Sequence, residues 1–398
     1  MNVMDDGLTA EVRELRSRMR RFIDDEVIPR EPDLLSGGGG AALADLKASA
    51  KAQGLWALGH PTEIGGGGVP FMPFVYLNEV IGRSEFGQAA VGSLSMQDSI
   101  MLHLHASEEQ RQRWLAPLVA GDIYPSVGLT EPEVAGSDPT LMRATARLEG
   151  DEWVIDAHKW FTTGANRAAF TTVFCLTDPD APRHLRFSSI IVPTDAPGYE
   201  IVRVIPVMGG GEHGVHGNHC EIRLHGVRVP ATNLLGPRGQ GFVIAQQRLG
   251  PGRIFHCMRW LGQAQRAFEL MCERANARFA HGSPLAEKGE IQRYVAESVA
   301  QIQACRLMTL DAARVMDCGG EARVEISLIK FAGAQMLHDV IDRAIQVHGA
   351  LGLTGDTPLE RMYRDARGGR LYDGPDEVHR MVVARRLLKD PSSAPWAF

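Results

Sequence analysis

Long apolar runs are missing from this chain of 398 residues. No segment reads as a bilayer-spanning helix, so membrane insertion is not expected. A basic block is missing too: 42 Lys and Arg are interspersed with 48 Asp and Glu, for a net charge of -6. That argues against nucleic acid or an anionic membrane as a partner. The six cysteines (Cys175, Cys220, Cys257, Cys272, Cys305, Cys318) form no CxxC pair. They read as buried free thiols of a reducing compartment. The N-terminal arginines 13, 16, 18, 20 and 21 are mixed with acids, unlike a transit peptide, and no signal-peptide core is present. The expectation is a soluble, cytoplasmic protein.

Other absences exclude nucleotide folds and repeats. No GxGxxG follows a β-like run, which argues against a dinucleotide-binding Rossmann unit. The glycine runs 37–40 and 65–68 lack a preceding strand and a following Lys-Ser/Thr, so they read as linkers rather than phosphate cradles. No internal repeat is evident. His213, His216, His219 and Cys220 have ligand-like spacing, but their segment is rich in glycine. It reads as a surface loop entering a strand, with no metal.

What is present is a change of pattern along the chain. Leu8, Val12, Leu15, Met19, Phe22 and Ile23 form one helical stripe, ended by Pro29 and Pro32. A second helix is expected over about 41–53, and helical patterns resume over about 74–119. From about Ile123 the pattern turns β-like: Trp153–Ile155, Thr171–Leu176, Ser188–Val192, Tyr199–Val204 and Glu221–Leu224, separated by turn residues. From Gly241 three long apolar stripes and a last helix over about 375–388 predict a four-helix bundle. The expected fold class is α+β multidomain: an N-terminal helical domain over 1–124, a middle antiparallel β-barrel or sandwich over 125–236, and a C-terminal helical bundle over 237–398.

Three segments carry chemistry. They are Leu129-Thr-Glu-Pro-Glu-Val-Ala-Gly-Ser-Asp138, Gln346-Val-His-Gly-Ala-Leu-Gly352 and Tyr372-Asp-Gly-Pro-Asp-Glu-Val-His379. Read alone, they are a turn between domains, a helix ending at a glycine cap, and a carboxylate beside a glycine before a helix. Together, and in α, β, α order, they resemble the acyl-CoA dehydrogenase family over the whole chain. The resemblance implies FAD as cofactor and an acyl-CoA thioester as substrate. It also implies an electron-transfer flavoprotein as electron acceptor and a homo-oligomer, a dimer or dimer of dimers.

The resemblance also implies residue roles. Leu129 and Thr130 would meet the flavin pyrimidine edge, and Ser137 would lie where flavin and acyl-CoA meet. In His158-Lys-Trp-Phe-Thr-Thr-Gly-Ala165, Phe161 stands where a Trp often lies against the flavin, and Thr163 would donate near N5. Arg278 would reach a neighbouring subunit's pyrophosphate, since a planar guanidinium fork suits a diphosphate. Gln346, Gly349 and Ala350 would contact the adenosine end of a neighbour's flavin. Pro375 and Glu377 replace a common Thr and Gln at further adenosine contacts.

Asp373 is the carboxylate in the position of the family's base, usually Glu. Its amide would help hold the thioester carbonyl, with Gly374 beside it. The alternative position, one residue before Arg253, is Gly252, and no acid lies between Gly241 and Phe268. Asp falls roughly 1.5 Å short of Glu at fixed backbone, so a shifted backbone or a different substrate pose is expected.

Arg248-Leu-Gly-Pro-Gly-Arg253-Ile-Phe-His-Cys-Met-Arg259 resembles a narrower group, the dehydrogenase domains of acyl-CoA dehydrogenase family members ten and eleven and their bacterial relatives. These also carry an Asp base, and some act with a kinase on 4-hydroxyacyl-CoA. Arg248 and Arg253 are expected to line the acyl pocket, Arg248 favouring a phosphorylated chain or else forming a salt bridge on its helix. The remaining alternatives are a nitroalkane-oxidase-like flavin oxidase and a catalytically weak FAD-binding subunit.

Overall fold

The computed structural model of the protein describes residues 8–36, 39–209 and 218–395. His213 and His216 lie outside them. The chain divides into two compact units. One comprises residues 30–69 and 88–251, the other 1–29, 70–87 and 252–398.

The first unit is built on an eight-stranded sheet. Its strands are β1 (Pro125–Gly128), β2 (Thr145–Glu149), β3 (Glu152–Thr163), β4 (Phe170–Leu176), β5 (Phe187–Pro193), β6 (Tyr199–Val204), β7 (His219–Pro230) and β8 (Leu234–Leu235). The order is β6-β7-β3-β2-β4-β5-β8, with β1 pairing to β4. Pairing is antiparallel except where β1 and β2 meet β4. The five expected strands are present, two of them much longer than the apolar cores that marked them. β1 and β2 were not expected: β2 is Thr-Ala-Arg-Leu-Glu, with only Ala146 buried, so it lacks an apolar run to read.

The near-continuous burial of β4 and β5 reflects cover on both faces. Val173 and Cys175 join Trp153, Ile155, Ile190, Ile222 and Val229 in one core. On the other face, Phe170 packs with Trp114, Leu115 and Met101 from the helical segments of this unit. Gly39 and Gly40 open the helix Gly39–Ala52 rather than lying in a linker.

The second unit is helical. The long helix Gly241–Ala277, with Pro251 inside it, enters this unit from Gly252. It is joined by Ala10–Arg21, Phe71–Ile81, Gly289–Asp317, Arg323–His348, Leu359–Gly368 and Asp376–Lys389. Pro32 does not end the first helical stretch. It sits in the first turn of a separate helix, Glu31–Leu35, where its missing N–H costs nothing.

Two helices of this unit approach closely beside the candidate site residues. A Cβ at Gly82 would lie 2.3 Å from the Cα of Arg259, and one at Gly262 would lie 2.0 Å from the carbonyl oxygen of Glu79. Helices Phe71–Ile81 and Gly241–Ala277 therefore meet backbone to backbone, which only glycine permits. The buried charges beside this contact are matched. Arg306 donates to Glu79 across 2.7 Å, and Arg83 pairs with Glu269 at 2.6 Å and Asp24 at 2.7 Å.

All six cysteines are unpaired, and four of them are buried. Cys272 is half-buried and Cys318 exposed, outside the expectation of burial.

Candidate active site

Each unit holds its own group of candidate residues. In the helical unit the turn 369–375 joins helices Leu359–Gly368 and Asp376–Lys389. Asp373 takes φ +54° and Gly374 φ +103°. A left-handed Asp costs on the order of 1 kcal/mol, so other contacts must hold it. Arg253 Nε donates to the Asp373 carbonyl across 2.9 Å, and His379 Nε2 donates to the same oxygen across 3.1 Å. Lys330 Nζ donates to Gly369 O at 2.6 Å and Gly374 O at 3.3 Å. Lys330 also lies over the rings of Trp260 and Tyr372, and Trp260 donates its indole N–H to the Tyr372 hydroxyl at 3.1 Å. A Cβ at Gly374 would lie 2.7 Å from His379 Nε2. The turn is thus fixed from three helices.

The Asp373 side chain points to His256, with Nε2 and Oδ2 3.3 Å apart. Burial dominates the electrostatics here. It lowers the proton affinity of Lys330 and of Arg253. It brings Arg259 down to about 10, still protonated at neutral pH. Burial first, and then the charge of Arg253, bring His379 to about 4. Arg253, Arg259 and Lys330 gather around Asp373, and Asp376 adds a second buried carboxylate that acts on Lys330.

Asp376 opens the last helix as expected of an N-terminal acid. It is buried and paired with Arg370 at 2.8 Å. Pro375 caps that helix in extended conformation, and Glu377 is exposed on its first turn. Arg278 is exposed just past the helix Gly241–Ala277. Gln346, Gly349 and Ala350 are exposed at the end of Arg323–His348, with Gly349 at φ +65°.

In the β unit the segment 129–138 is tied to β3 by a buried ion pair. Glu131 Oε1 accepts from Lys159 Nζ at 2.8 Å, and its two oxygens accept the amides of Ala144 and Arg143 at 2.9 and 2.7 Å. Lys159 also donates to Leu129 O at 3.1 Å, and Trp160 N to Thr130 O at 3.0 Å. Glu133, which stands where the resembled motif has glycine, contacts His158, which also meets Glu221 at 2.9 Å. Gly136 folds onto Thr130, where a Cβ would lie 2.9 Å from Cγ2. Ser137 is exposed.

Phe161 is 44% exposed and takes φ +49°. It lies in the irregular stretch between Lys159 and Thr162, where the register with β7 shifts. A bulky residue in that conformation is strained, and such outliers collect at ligand sites. Thr163, two residues on, hydrogen-bonds His219 Nδ1 at 2.9 Å. An exposed ring, the hydroxyls of Thr130, Ser137 and Thr163 and the main chain near Leu129 suit a flat heteroaromatic group with a polar edge. The donor set therefore fits a flavin. His219 and Cys220 begin β7, and no metal-like group of His, Cys, Asp and Glu occurs among the described residues.

Arg248 forms a two-pronged ion pair with Asp98, Nε to Oδ1 at 3.1 Å and Nη2 to Oδ2 at 3.2 Å. Its charge is thus matched by a carboxylate. Sequence reasoning gave no role to His256, Arg259, Lys330, His379, Glu131 or Lys159. The signal for the first two was available: Arg253, His256 and Arg259 recur every three residues, and the residues between them and on to Leu261 are apolar.

Three family models cover nearly the whole chain: the acyl-CoA dehydrogenase N-terminal domain over 9–122, the middle domain over 126–227 and the C-terminal domain over 239–388. The protein belongs to the acyl-CoA dehydrogenase family. It is 43% identical over 406 residues to the probable acyl-CoA dehydrogenase FadE2 of Mycobacterium tuberculosis, covering 98% of each chain. It is 40% identical to mouse acyl-CoA dehydrogenase family member 10, matching 98% of this chain but 38% of that longer protein. A solved Mycobacterium abscessus structure, provisionally described as an acyl-CoA dehydrogenase, superposes with TM-score 0.91. It is 40% identical and covers 96% of this chain and 99% of its own. No described helix is long and apolar enough to cross a membrane.

Proposed function

We propose that this protein is an FAD-dependent acyl-CoA dehydrogenase that converts an acyl-CoA thioester to its trans-2-enoyl-CoA, with Asp373 as base. The observation that carries the reading is the Asp373 turn, in which a strained carboxylate residue is fixed through its own carbonyl by Arg253 and His379. Strain held by that many donors is a mark of a functional residue.

Family membership makes FAD the cofactor. When bound it supplies the acceptor for the β-hydride. Leu129, Thr130, Ser137, Phe161 and Thr163 would hold its ring. Arg278, Gln346, Gly349, Ala350, Pro375 and Glu377 would serve the pyrophosphate and adenosine ends, Arg278 and Gln346 for the flavin of a second subunit. The protein is therefore at least a dimer in this reading. Asp373 takes the α-proton: the C–H bond breaks and an O–H bond forms on the carboxylate. The amide of Asp373, beside Gly374, polarises the thioester carbonyl. Neighbouring cations Arg253, Arg259 and Lys330 favour the negative charge that develops there. An electron-transfer flavoprotein would remove the electrons, and the cytoplasm is the proposed compartment.

The pairing of Arg248 with Asp98 weakens the case for a phosphorylated chain bound by Arg248. The test is anaerobic. The FAD-loaded protein is mixed with straight-chain, branched, 4-hydroxy and 4-phosphoryl acyl-CoAs, and the visible flavin absorbance is followed. Bleaching that Asp373→Asn abolishes is the expected result. Absence of bleaching with every thioester would overturn the proposal.

A further inference from the structure

We infer that His256 is a positioning residue for the Asp373 carboxylate, with its ring tautomer set by Arg259. The inference rests on the dehydrogenase reading above and adds a residue to it.

A chain of contacts leads from Asn78 to Asp373. Asn78 Nδ2 donates to Phe74 O at 2.9 Å, which orients the amide. Its Oδ1 then accepts from Arg259 Nη1 at 3.3 Å. Arg259 Nη2 stands 2.9 Å from His256 Nδ1. A guanidinium has donors and no acceptor, so Nδ1 must be the unprotonated ring nitrogen. Burial, and then the Arg259 charge, lower the proton affinity of His256. The neutral ring therefore carries its one proton on Nε2, the atom 3.3 Å from Asp373 Oδ2. The side chains of His256 and Asp373 are 24% and 17% exposed, so water competes weakly.

Two consequences follow from that proton. His256 cannot relieve Asp373 of the substrate proton at Nε2, because that nitrogen is already protonated. It can fix rotation of the carboxylate about Cβ–Cγ, and it favours the ionised form. The transfer is then assigned to Oδ1: the α C–H bond breaks, the O–H bond forms on Oδ1, and Oδ2 keeps facing the imidazole N–H. At 3.3 Å the two atoms are in ion-pair contact, and the buried Oδ2 completes no hydrogen bond in this geometry. Catalytic hydrogen bonds commonly tighten once substrate binds. The device suits an Asp base, whose shorter arm leaves rotation as its main freedom.

The test has two readouts on the FAD-loaded protein. In histidine-¹⁵N-labelled protein, the His256 ring signal is identified by its loss in His256→Gln. At neutral pH it should be that of a neutral Nε2–H ring, and it should move in Asp373→Asn. In stopped-flow bleaching, His256→Leu should slow the reaction on the order of 10- to 100-fold, with a larger α-deuterium isotope effect and little change in KM. His256→Gln, which keeps an N–H donor, should recover most of the rate. A Nδ1–H or cationic ring overturns the inference, as does a Leu variant that bleaches at the wild-type rate. If no acyl-CoA bleaches the wild-type protein, the dehydrogenase reading falls, and the ring signal alone decides whether His256 holds Asp373.

Discussion

Arg253 reaches Asp373 through the main chain: its Nε donates to the Asp373 carbonyl across 2.9 Å. The arginine expected to line the substrate pocket thus holds the main chain of the proposed base. His379 donates to the same oxygen, and together they hold an Asp at φ +54°. In the proposed reaction, the distance that Asp lacks relative to Glu has to be met by this backbone.

Asp373→Glu should therefore be a poor exchange, although Glu is the family's common base. The added methylene moves the carboxylate by roughly 1.5 Å off the His256 contact. Stopped-flow bleaching should slow on the order of 10²-fold, while flavin content stays that of the wild type. A faster Glu variant would show that the turn does not set the reach of the base.

Gly374→Ala tests the same turn. Alanine at φ +103° is strained, and its Cβ would lie 2.7 Å from His379 Nε2. Stability should fall by about 2–3 kcal/mol, read as a lower urea midpoint, and bleaching should slow with it. An unchanged midpoint would mean that His379 moves aside at no cost.

Arg248→Ala leaves Asp98 partly buried without its ion-pair partner. Breaking such a pair costs roughly 3 kcal/mol, and Arg248→Met with Asp98→Leu should restore most of it. Turnover of plain and phosphorylated acyl-CoAs should fall together. Selective loss on the phosphorylated substrate would return Arg248 to the acyl pocket.

Acid should weaken the fold through two buried histidines. Burial brings His60 to about 4, and burial with the Arg253 charge brings His379 to about 4, from an ordinary value of 6.5. The unfolded chain binds these protons below about 6.5 and the folded chain only below about 4. Their stabilising contribution is complete above 6.5 and is lost as pH falls between the two values. Each is worth on the order of 3 kcal/mol at most. Urea midpoints measured from pH 7.5 to pH 4.5 should drop, and His60→Leu should flatten the profile. A wild-type profile that is level over that range would contradict the assignment.

Much of the fold is legible in the sequence, because long apolar stripes and β-branched runs report their own periodicity. β2 was invisible because only Ala146 of its five residues is buried. Pro32 misled because proline ends a helix or begins one depending on the turn it occupies. Asp373, Arg253 and Gly374 could be picked out by resemblance, since they lie in motifs with distinctive spacing. Glu131 and Lys159 could not, because a buried ion pair between a loop and a strand leaves no local pattern.

The order of helical and β segments, the acyl-CoA dehydrogenase family and the candidate carboxylate are all legible in the residues alone. Those depend on local periodicity and on contiguous motifs. What each charge meets depends on packing. Arg248 meets Asp98, Arg253 meets a main-chain carbonyl, and His256 meets Asp373. The physical reason is that burial makes every charge depend on partners far along the chain, and chain separation hides those partners until the helices pack. Gly82 and Gly262 let two helices touch, and that contact is what brings Asn78, Arg259 and His256 into line.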